Sequence, residues 1–374
     1  MASSDDDALS VIRSMTGRTQ ASVAVSPERV ADFLRKQDDL GGKLIRLEFD
    51  DKRRRSGASS GTQLVDAYIT AEDHAEVCRK LVFRYDLGGT FFFQYDLVAQ
   101  FRVMKALRKT PVPVPKVLWL DAAGEIAGLP GLFMERVDAP APGGQPFAEG
   151  PLVDAPPEQR RQMILESVRT FARLHQLDPK TLPLDFLGRR GTGADFIARA
   201  IDWDSKELMH AIPAGFGGDR RAFYDGVRGE LLGVRDYLFA HAPKDREPEI
   251  AHGDPNLSNL MFRGSEVAAL LDWELCHLGL GEADLAYCLA GMAHFLLLMK
   301  PMAGVPSDDD VIAAYKAERG SFRDWEFCRL WGEWRLGVYQ AMGFSRLPPD
   351  MQHVEEMYWN NTKDRLGRFM PREG

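Results

Sequence analysis

Along residues 43–137 the apolar positions fall into short runs of strand length: LIRLEF (44–49), LVDAYIT (64–70), EVCRKLVFRY (76–85), VLWL (117–120) and GLFMERV (131–137). One segment in this stretch, 95–107, has another period: Leu97, Val98, Phe101, Val103, Met104 and Leu107 recur at helical spacing. After the turn-rich APAPGGQP (139–146) the helical period takes over. The segment 160–176 carries Met163, Ile164, Val168, Phe171 and Leu174 on one face, and 327–342 carries Phe327, Leu330, Trp331, Trp334 and Val338. Near the start, Ser26 as N-cap and Pro27 at the first helical position predict a short helix over 26–36. The pattern predicts an α+β chain in three parts. An extension with a short helix occupies 1–40, a small strand-rich part with one main helix occupies 41–138, and a mostly helical part occupies 139–374.

Composition narrows the class without naming a function. A chain of 374 residues with 45% hydrophobic and 27% charged positions has enough apolar material for two cores. Its formal charge of −8 argues against a general nucleic-acid binder, which needs excess Lys and Arg to neutralise phosphates. The four cysteines, Cys78, Cys276, Cys288 and Cys328, contain no C-x-x-C pair and read as reduced thiols of a cytoplasmic protein. The acidic start MASSDDDALS lacks an apolar run, so no secretory segment is expected. The most apolar stretch, 286–299, is shorter than a bilayer span and contains His294, so it reads as a core helix and no membrane contact is expected.

Candidate chemistry concentrates in HGDPNLSNLMF (252–262) and LLDWE (270–274). If 260–262 and 267–271 are arms of a hairpin turning at RGSE (263–266), Asn259 and Asp272 face each other, ~5 Å apart at Cβ. Two oxygen-bearing groups so held suit Mg²⁺, which leaves its other positions to water and phosphate oxygens. Asp254, just upstream in a loop, is placed to orient a hydroxyl. This is the layout of a phosphoryl-transfer site. A second feature is RRRSGASSGT (53–62), where Gly57 and Gly61 allow close backbone approach and the amides around Ser59 and Ser60 can cradle phosphate oxygens. Alone this is a common hairpin turn; Arg84 on a following strand, with a helix after it, matches the order by which protein kinases hold ATP phosphates.

On these motifs the chain resembles the aminoglycoside phosphotransferase and choline-kinase-like family of small-molecule kinases, in particular the kinase domains fused to some acyl-CoA dehydrogenases. The resemblance runs over roughly residues 40–345 through SGASSGT, LVFR, FMERV, FARLHQLD, HGDPNLSN and LLDWELCHLGLGEADLAY. It implies a protein-kinase-like bilobal fold with an antiparallel-sheet N-lobe and a helical C-lobe. It also implies Mg²⁺ and ATP (or GTP) as cofactor and co-substrate, and a small hydroxylated acceptor. Asp254 would take or orient the hydroxyl proton, Asn259 and Asp272 would bind Mg²⁺ with Glu274 nearby, and Arg84 would contact the phosphates. Backbone groups of Glu135 and Val137 would meet the adenine edge, while His252 and Asp284 would brace the catalytic loop. One departure is that Gln100 stands where the family usually has a Glu paired to the phosphate-binding base, with Asp96 one turn earlier as a possible substitute. Gln can hydrogen-bond a guanidinium but not neutralise it.

Plainer readings exist for each residue. Asp254 before Pro255 could be a turn residue, Asp272 a strand-end surface acid, and Glu274 a solvated carboxylate. His175 and His277 read as satisfied turn or helix-end histidines, no catalytic role is assigned to His210 or His294, and KRRR (52–55) reads as a solvated flank. Three functions compete: a small-molecule kinase, a nucleotide-binding pseudokinase acting as scaffold, and a metal-dependent phosphatase suggested by DWD (202–204). The basic segment 187–200 favours an anionic acceptor such as a hydroxyacyl-CoA over an aminoglycoside.

Overall fold

The computed structural model describes residues 25–50, 55–56, 59–71, 73–89, 91–190, 195–297, 299, 301–346 and 352–370. These divide into two compact units. One ends its first pass at Lys109 and resumes over Val114–Asp138; the other joins Thr110–Pro113 to the chain from Ala139 onward.

In the first unit, helix α1 (Pro27–Arg35) begins where the cap predicts, with the Ser26 side chain accepting from the Arg29 amide. Strands β1 (Lys43–Phe49), β2 (Arg55–Ser56), β3 (Ser60–Thr70), β4 (Glu76–Asp86), β5 (Val117–Asp121) and β6 (Gly131–Glu135) form one antiparallel sheet. Its order is β1-β3-β4-β6-β5, and β2 also pairs with β3. The single helix inside this run, α2 (Leu97–Leu107), turns Leu97, Phe101, Val103, Met104 and Leu107 inward. Val65, Ala67, Leu81, Phe83 and Phe133 alternate along the strands into one core, against which Val30 and Leu34 of α1 pack.

The second unit is helical: α3 (Pro151–Asp154), α4 (Pro157–His175), α5 (Phe196–Ala211), α6 (Arg221–His241), α7 (Gly281–Leu296), α8 (Asp308–Arg319), α9 (Trp325–Phe344) and α10 (Gln352–Phe369). Between α6 and α7 lie four short strands in two pairs. Strand β7 (Glu249–Ala251) pairs with β10 (His277–Gly279), and β8 (Leu260–Arg263) with β9 (Glu266–Leu270). Val168 and Ala172 of α4, Leu285 and Leu289 of α7, and Val311 and Tyr315 of α8 make a buried cluster. Among the described residues no helix is long and apolar enough to cross a membrane. Cys276, Cys288 and Cys328 are buried and Cys78 exposed, all as free thiols.

Candidate active site

The paired strands β7 and β10 and the hairpin β8–β9 leave a loop, 252–259, that carries most of the candidate chemistry. Gly253 has φ 87°, and a Cβ there would lie 2.0 Å from the Leu275 carbonyl oxygen, so only glycine lets the chain turn at this point. Asp284, on the first turns of α7, holds the loop. Its carboxylate accepts from the His252 amide at 2.7 Å, from the Gly253 amide at 3.0 Å, and from His175 Nε2 at 3.1 Å. Burial would raise this acid, but the hydrogen bond and charge of His175, with the charges of His252 and Arg335, hold it down at about 2. His175 in turn bonds Tyr315 through Nδ1 at 2.8 Å, so it is a satisfied helix-end histidine.

His252 is fully buried between neighbours that fix its tautomer. Nε2 donates to the Leu271 carbonyl at 2.8 Å and Nδ1 accepts the Asp254 amide at 3.3 Å. Burial pushes its pKa down, consistent with a neutral ring bridging the two chain segments. Asp254 itself is half-buried. Asn259 Nδ2 donates to its carbonyl at 3.0 Å and to Oδ2 at 2.8 Å. Burial first, then the Asp272 charge, raises Asp254 to about 6, against the Asn259 hydrogen bond and the Arg335 guanidinium.

The hairpin exists as the pattern predicts, but its register differs by one residue. Leu260 pairs with Leu270, and the Leu271 amide donates to the Asn259 carbonyl at 2.8 Å, so Leu271 rather than Asp272 stands opposite Asn259. The turn sets the offset: Arg263 pairs with Glu266 and Phe262 with Val267, which alone would put Leu270 opposite Asn259. A bulge between Met261 and Phe262, with Ala268 as the extra residue, moves the register back to Leu271. A regular strand would then send Asp272 to the other face. Its left-handed φ of 64° breaks that alternation. Asp272 acts electrostatically on both Asp254 and His252, so three groups of the motif share one neighbourhood. Glu274 sits half-buried in the tight turn Trp273–Leu275.

A divalent cation fits this donor set. Two mutually repelling carboxylates, Asp254 and Asp272, lie beside Asn259, and that amide spends its nitrogen on Asp254, leaving its oxygen. Among the described residues no group of three or more His, Cys, Asp or Glu could hold a metal, so an ion here would draw its other ligands from water and phosphate.

In the sheet-bearing unit, Gly57 lies outside the described residues. Ser59 and Ser60 are buried at the start of β3, and Gly61 sits in that strand against the Tyr85 ring, where a Cβ would come within 2.3 Å. Arg84, on β4, pairs with Thr62 and Leu132. The expected Gln100–Arg84 hydrogen bond is absent, because both Oε1 and Nε2 of buried Gln100 lack a hydrogen-bond partner. Asp96 does not replace it: it caps α2, accepting from the Ala99 amide at 2.9 Å. The Glu135 amide donates to the Lys116 carbonyl at 2.9 Å, so it is not the group that would meet an adenine edge; Val137 lies just past β6.

Asp202 and Asp204 sit mid-helix in α5, with Asp202 paired to Lys206 at 2.7 Å, which is no place for a phosphatase nucleophile at a strand end. The residues that pattern reading overlooks are Tyr287 of α7 and Arg335 and Tyr339 of α9. Arg335 is buried and forms an ion pair with Asp204 at 3.1 Å. A charged residue on an otherwise apolar helical face is the signal that could have flagged it.

An antiparallel sheet with one inserted helix in one unit, and a helical unit carrying the loop–hairpin in the other, are the elements of a protein-kinase-like fold. The Phosphotransferase enzyme family (APH) model matches residues 93–331, and the chain belongs to that family. It is 32% identical over 253 residues to acyl-CoA dehydrogenase family member 10 of Mus musculus. That match covers 67% of this chain and 20% of the relative, so the chain corresponds to a fifth of its length. A crystal structure from Ralstonia eutropha assigned as an aminoglycoside phosphotransferase superposes with a TM-score of 0.62 at 21% identity, covering 91% of this chain and 99% of the other. A thermostable mutant of aminoglycoside phosphotransferase APH(4)-Ia, in a ternary complex with AMP-PNP and hygromycin B, gives 0.54 at 14% identity over 92% of this chain and 99% of that one. At these identities the likeness shows the fold.

Proposed function

We propose that the protein transfers the γ-phosphoryl group of ATP to a hydroxyl of a small metabolite. The observation that carries this reading is the pair Asp254 and Asn259 on a loop pinned by Asp284, with the charge of Asp272 acting on Asp254. Asp254, its pKa raised into the range where a carboxylate is a competent base, accepts the hydroxyl proton as the oxygen attacks phosphorus. Asn259 and Asp272, with Glu274 in support, would hold Mg²⁺, which would supply neutralisation of phosphate charge. His252 and Asp284 keep the loop in register. The family resemblance gives the sheet-bearing unit its own nucleotide-contacting groups: Arg84 and the backbone at Ser59, Ser60 and Gly61 for phosphates, and the chain at Glu135 and Val137 for the base. The transition state is loose and anionic, so alignment and charge do most of the catalysis.

For the acceptor we favour an anionic hydroxylated metabolite, a hydroxyacyl-CoA before an aminoglycoside. The relation to an acyl-CoA dehydrogenase family member and the basic segment 187–200 support that preference. A cytoplasmic location fits the free thiols. A screen of ADP release with Mg²⁺-ATP against hydroxyacyl-CoAs, amino alcohols, aminoglycosides and sugars tests the reading; no release with any acceptor sinks it. The second reading, a pseudokinase scaffold, draws on Gln100, a neutral residue where the family usually has a Glu. It predicts nucleotide binding without turnover.

A further inference from the structure

We propose that Arg335 determines acceptor specificity: its guanidinium receives a carboxyl-derived oxygen of the acceptor while the acceptor's hydroxyl is presented to Asp254. This rests on the phosphotransfer reading and extends it to a residue outside the recognised motifs.

Arg335 is an unusual cation. Its side chain is 7% exposed, yet among the described residues none of its N–H groups makes a hydrogen bond. Its polar contact is an ion pair, Nε to Asp204 Oδ2 at 3.1 Å. A guanidinium carries five donors in a planar fork, and burying them unbonded is costly. An arginine serving only to brace α5 against α9 would be expected to meet Asp204 edge-on through two parallel hydrogen bonds. Here Asp204 also accepts from the Tyr339 hydroxyl at 3.0 Å, and the fork is left for another planar oxygen group.

The surroundings position that fork near the reaction. The guanidinium carbon lies 5.3 Å from the Tyr287 ring centre and 5.4 Å from that of Tyr339, and the two rings are 6.2 Å apart. Tyr287 stands three residues after Asp284 on α7, so the two share a helical face, and Asp284 bonds the amides just before Asp254. Arg335 and Asp284 also wall the same small cavity, with Ala251 and Trp331. Charge effects agree: Asp254 and Arg335 both act on Tyr287, and Arg335 acts on Asp254. An acceptor whose hydroxyl and carboxyl-derived oxygen are a few atoms apart would span Asp254 and Arg335 across Tyr287. In the step itself the hydroxyl oxygen bonds to the γ-phosphorus, and the bond to the β-bridging oxygen breaks with its electron pair going to ADP. The hydroxyl proton passes to the Asp254 carboxylate. Arg335 takes no part in bond making.

The test compares three acceptors of one carbon skeleton: a hydroxy acid, its CoA thioester and the plain alcohol. Wild type, Arg335→Lys and the charge-neutral pair Arg335→Gln with Asp204→Asn are assayed for kcat/KM, with melting temperature as a check on folding. The neutral pair avoids stranding Asp204 and carries the test if Arg335→Lys folds poorly. The expected result is a fall of roughly 10- to 100-fold in the preference for the hydroxy acid or thioester over the alcohol, the size of a lost charge-assisted hydrogen bond. The fall should come through acceptor KM, with KM for ATP retained. Whether the acid or the thioester suffers more tells carboxylate from carbonyl. Equal losses with all three acceptors, or a raised KM for ATP, overturn the proposal. Calorimetry of the hydroxy acid without nucleotide gives an independent arm: undiminished binding to the neutral pair also overturns it. Absence of transfer by wild type to any hydroxyl would fail the phosphotransfer reading instead, and with it this one.

Discussion

Asn259 reaches Asp254 twice with one nitrogen, donating to the backbone carbonyl at 3.0 Å and to carboxylate Oδ2 at 2.8 Å. The amide therefore tethers the candidate base and turns its own oxygen away from it. Replacement by Asp converts a donor into a third carboxylate beside two that already repel each other. We expect Asn259→Asp to lose at least roughly 100-fold in kcat, as for a misplaced general base. Steady-state kinetics at saturating Mg²⁺-ATP checks this, and near-wild-type turnover would count against the tether.

Asp254→Asn should abolish phosphoryl transfer, a loss of roughly 100- to 10,000-fold, while nucleotide still binds. Because the raised pKa of about 6 marks an ionised carboxylate kept at a cost, the unliganded variant should melt no lower than wild type at neutral pH. Calorimetric melting and nucleotide titration read both effects.

Asp272→Ala should act on a different step. Nucleotide affinity measured with and without Mg²⁺ is expected to lose its metal dependence, by roughly tenfold or more. Variant affinity that still rises on adding Mg²⁺ would place the ion elsewhere.

Asp284→Asn should destabilise the fold by about 3 kcal/mol, because a buried carboxylate serving two amides and His175 loses its charge. The pH dependence has a definite sign. The folded pKa of about 2 lies below the unfolded value near ~3.9, so the contribution is present above pH ~4 and fades as pH falls toward 2. The gap in melting temperature between wild type and variant should be flat at neutral pH and narrow under acid.

Gly253→Ala introduces a side chain at φ 87°, facing the Leu275 carbonyl at 2.0 Å. A cost of roughly 1–3 kcal/mol is expected, with activity falling further as the loop shifts Asp254. Denaturant melts separate the stability loss from the kinetic one.

The element order was legible because local periodicity decides it. The short helix at Ser26 and Pro27, the main strand runs through residue 135 and the helices expected over 160–176 and 327–342 stand within a few residues of their apolar patterns, whereas α5, α6, α8 and α10 were not read from the sequence. The proximity of Asp254, Asn259 and Asp272 was legible too, since they lie within one short segment. Asp96 and Gln100 misled: a helix N-cap consumed the first, and the second is buried without a hydrogen bond, neither outcome being encoded in residue type. The bulge at Ala268 and the left-handed Asp272 depend on which faces must be covered, so the register could not be read from turn length alone. Arg335, Asp204 and Tyr287 come from three different helices, with more than 40 residues of chain between any two of the three side chains. Periodicity along a chain carries no record of which helical faces will meet, because side-chain packing between distant segments is settled only when the helices close on one another.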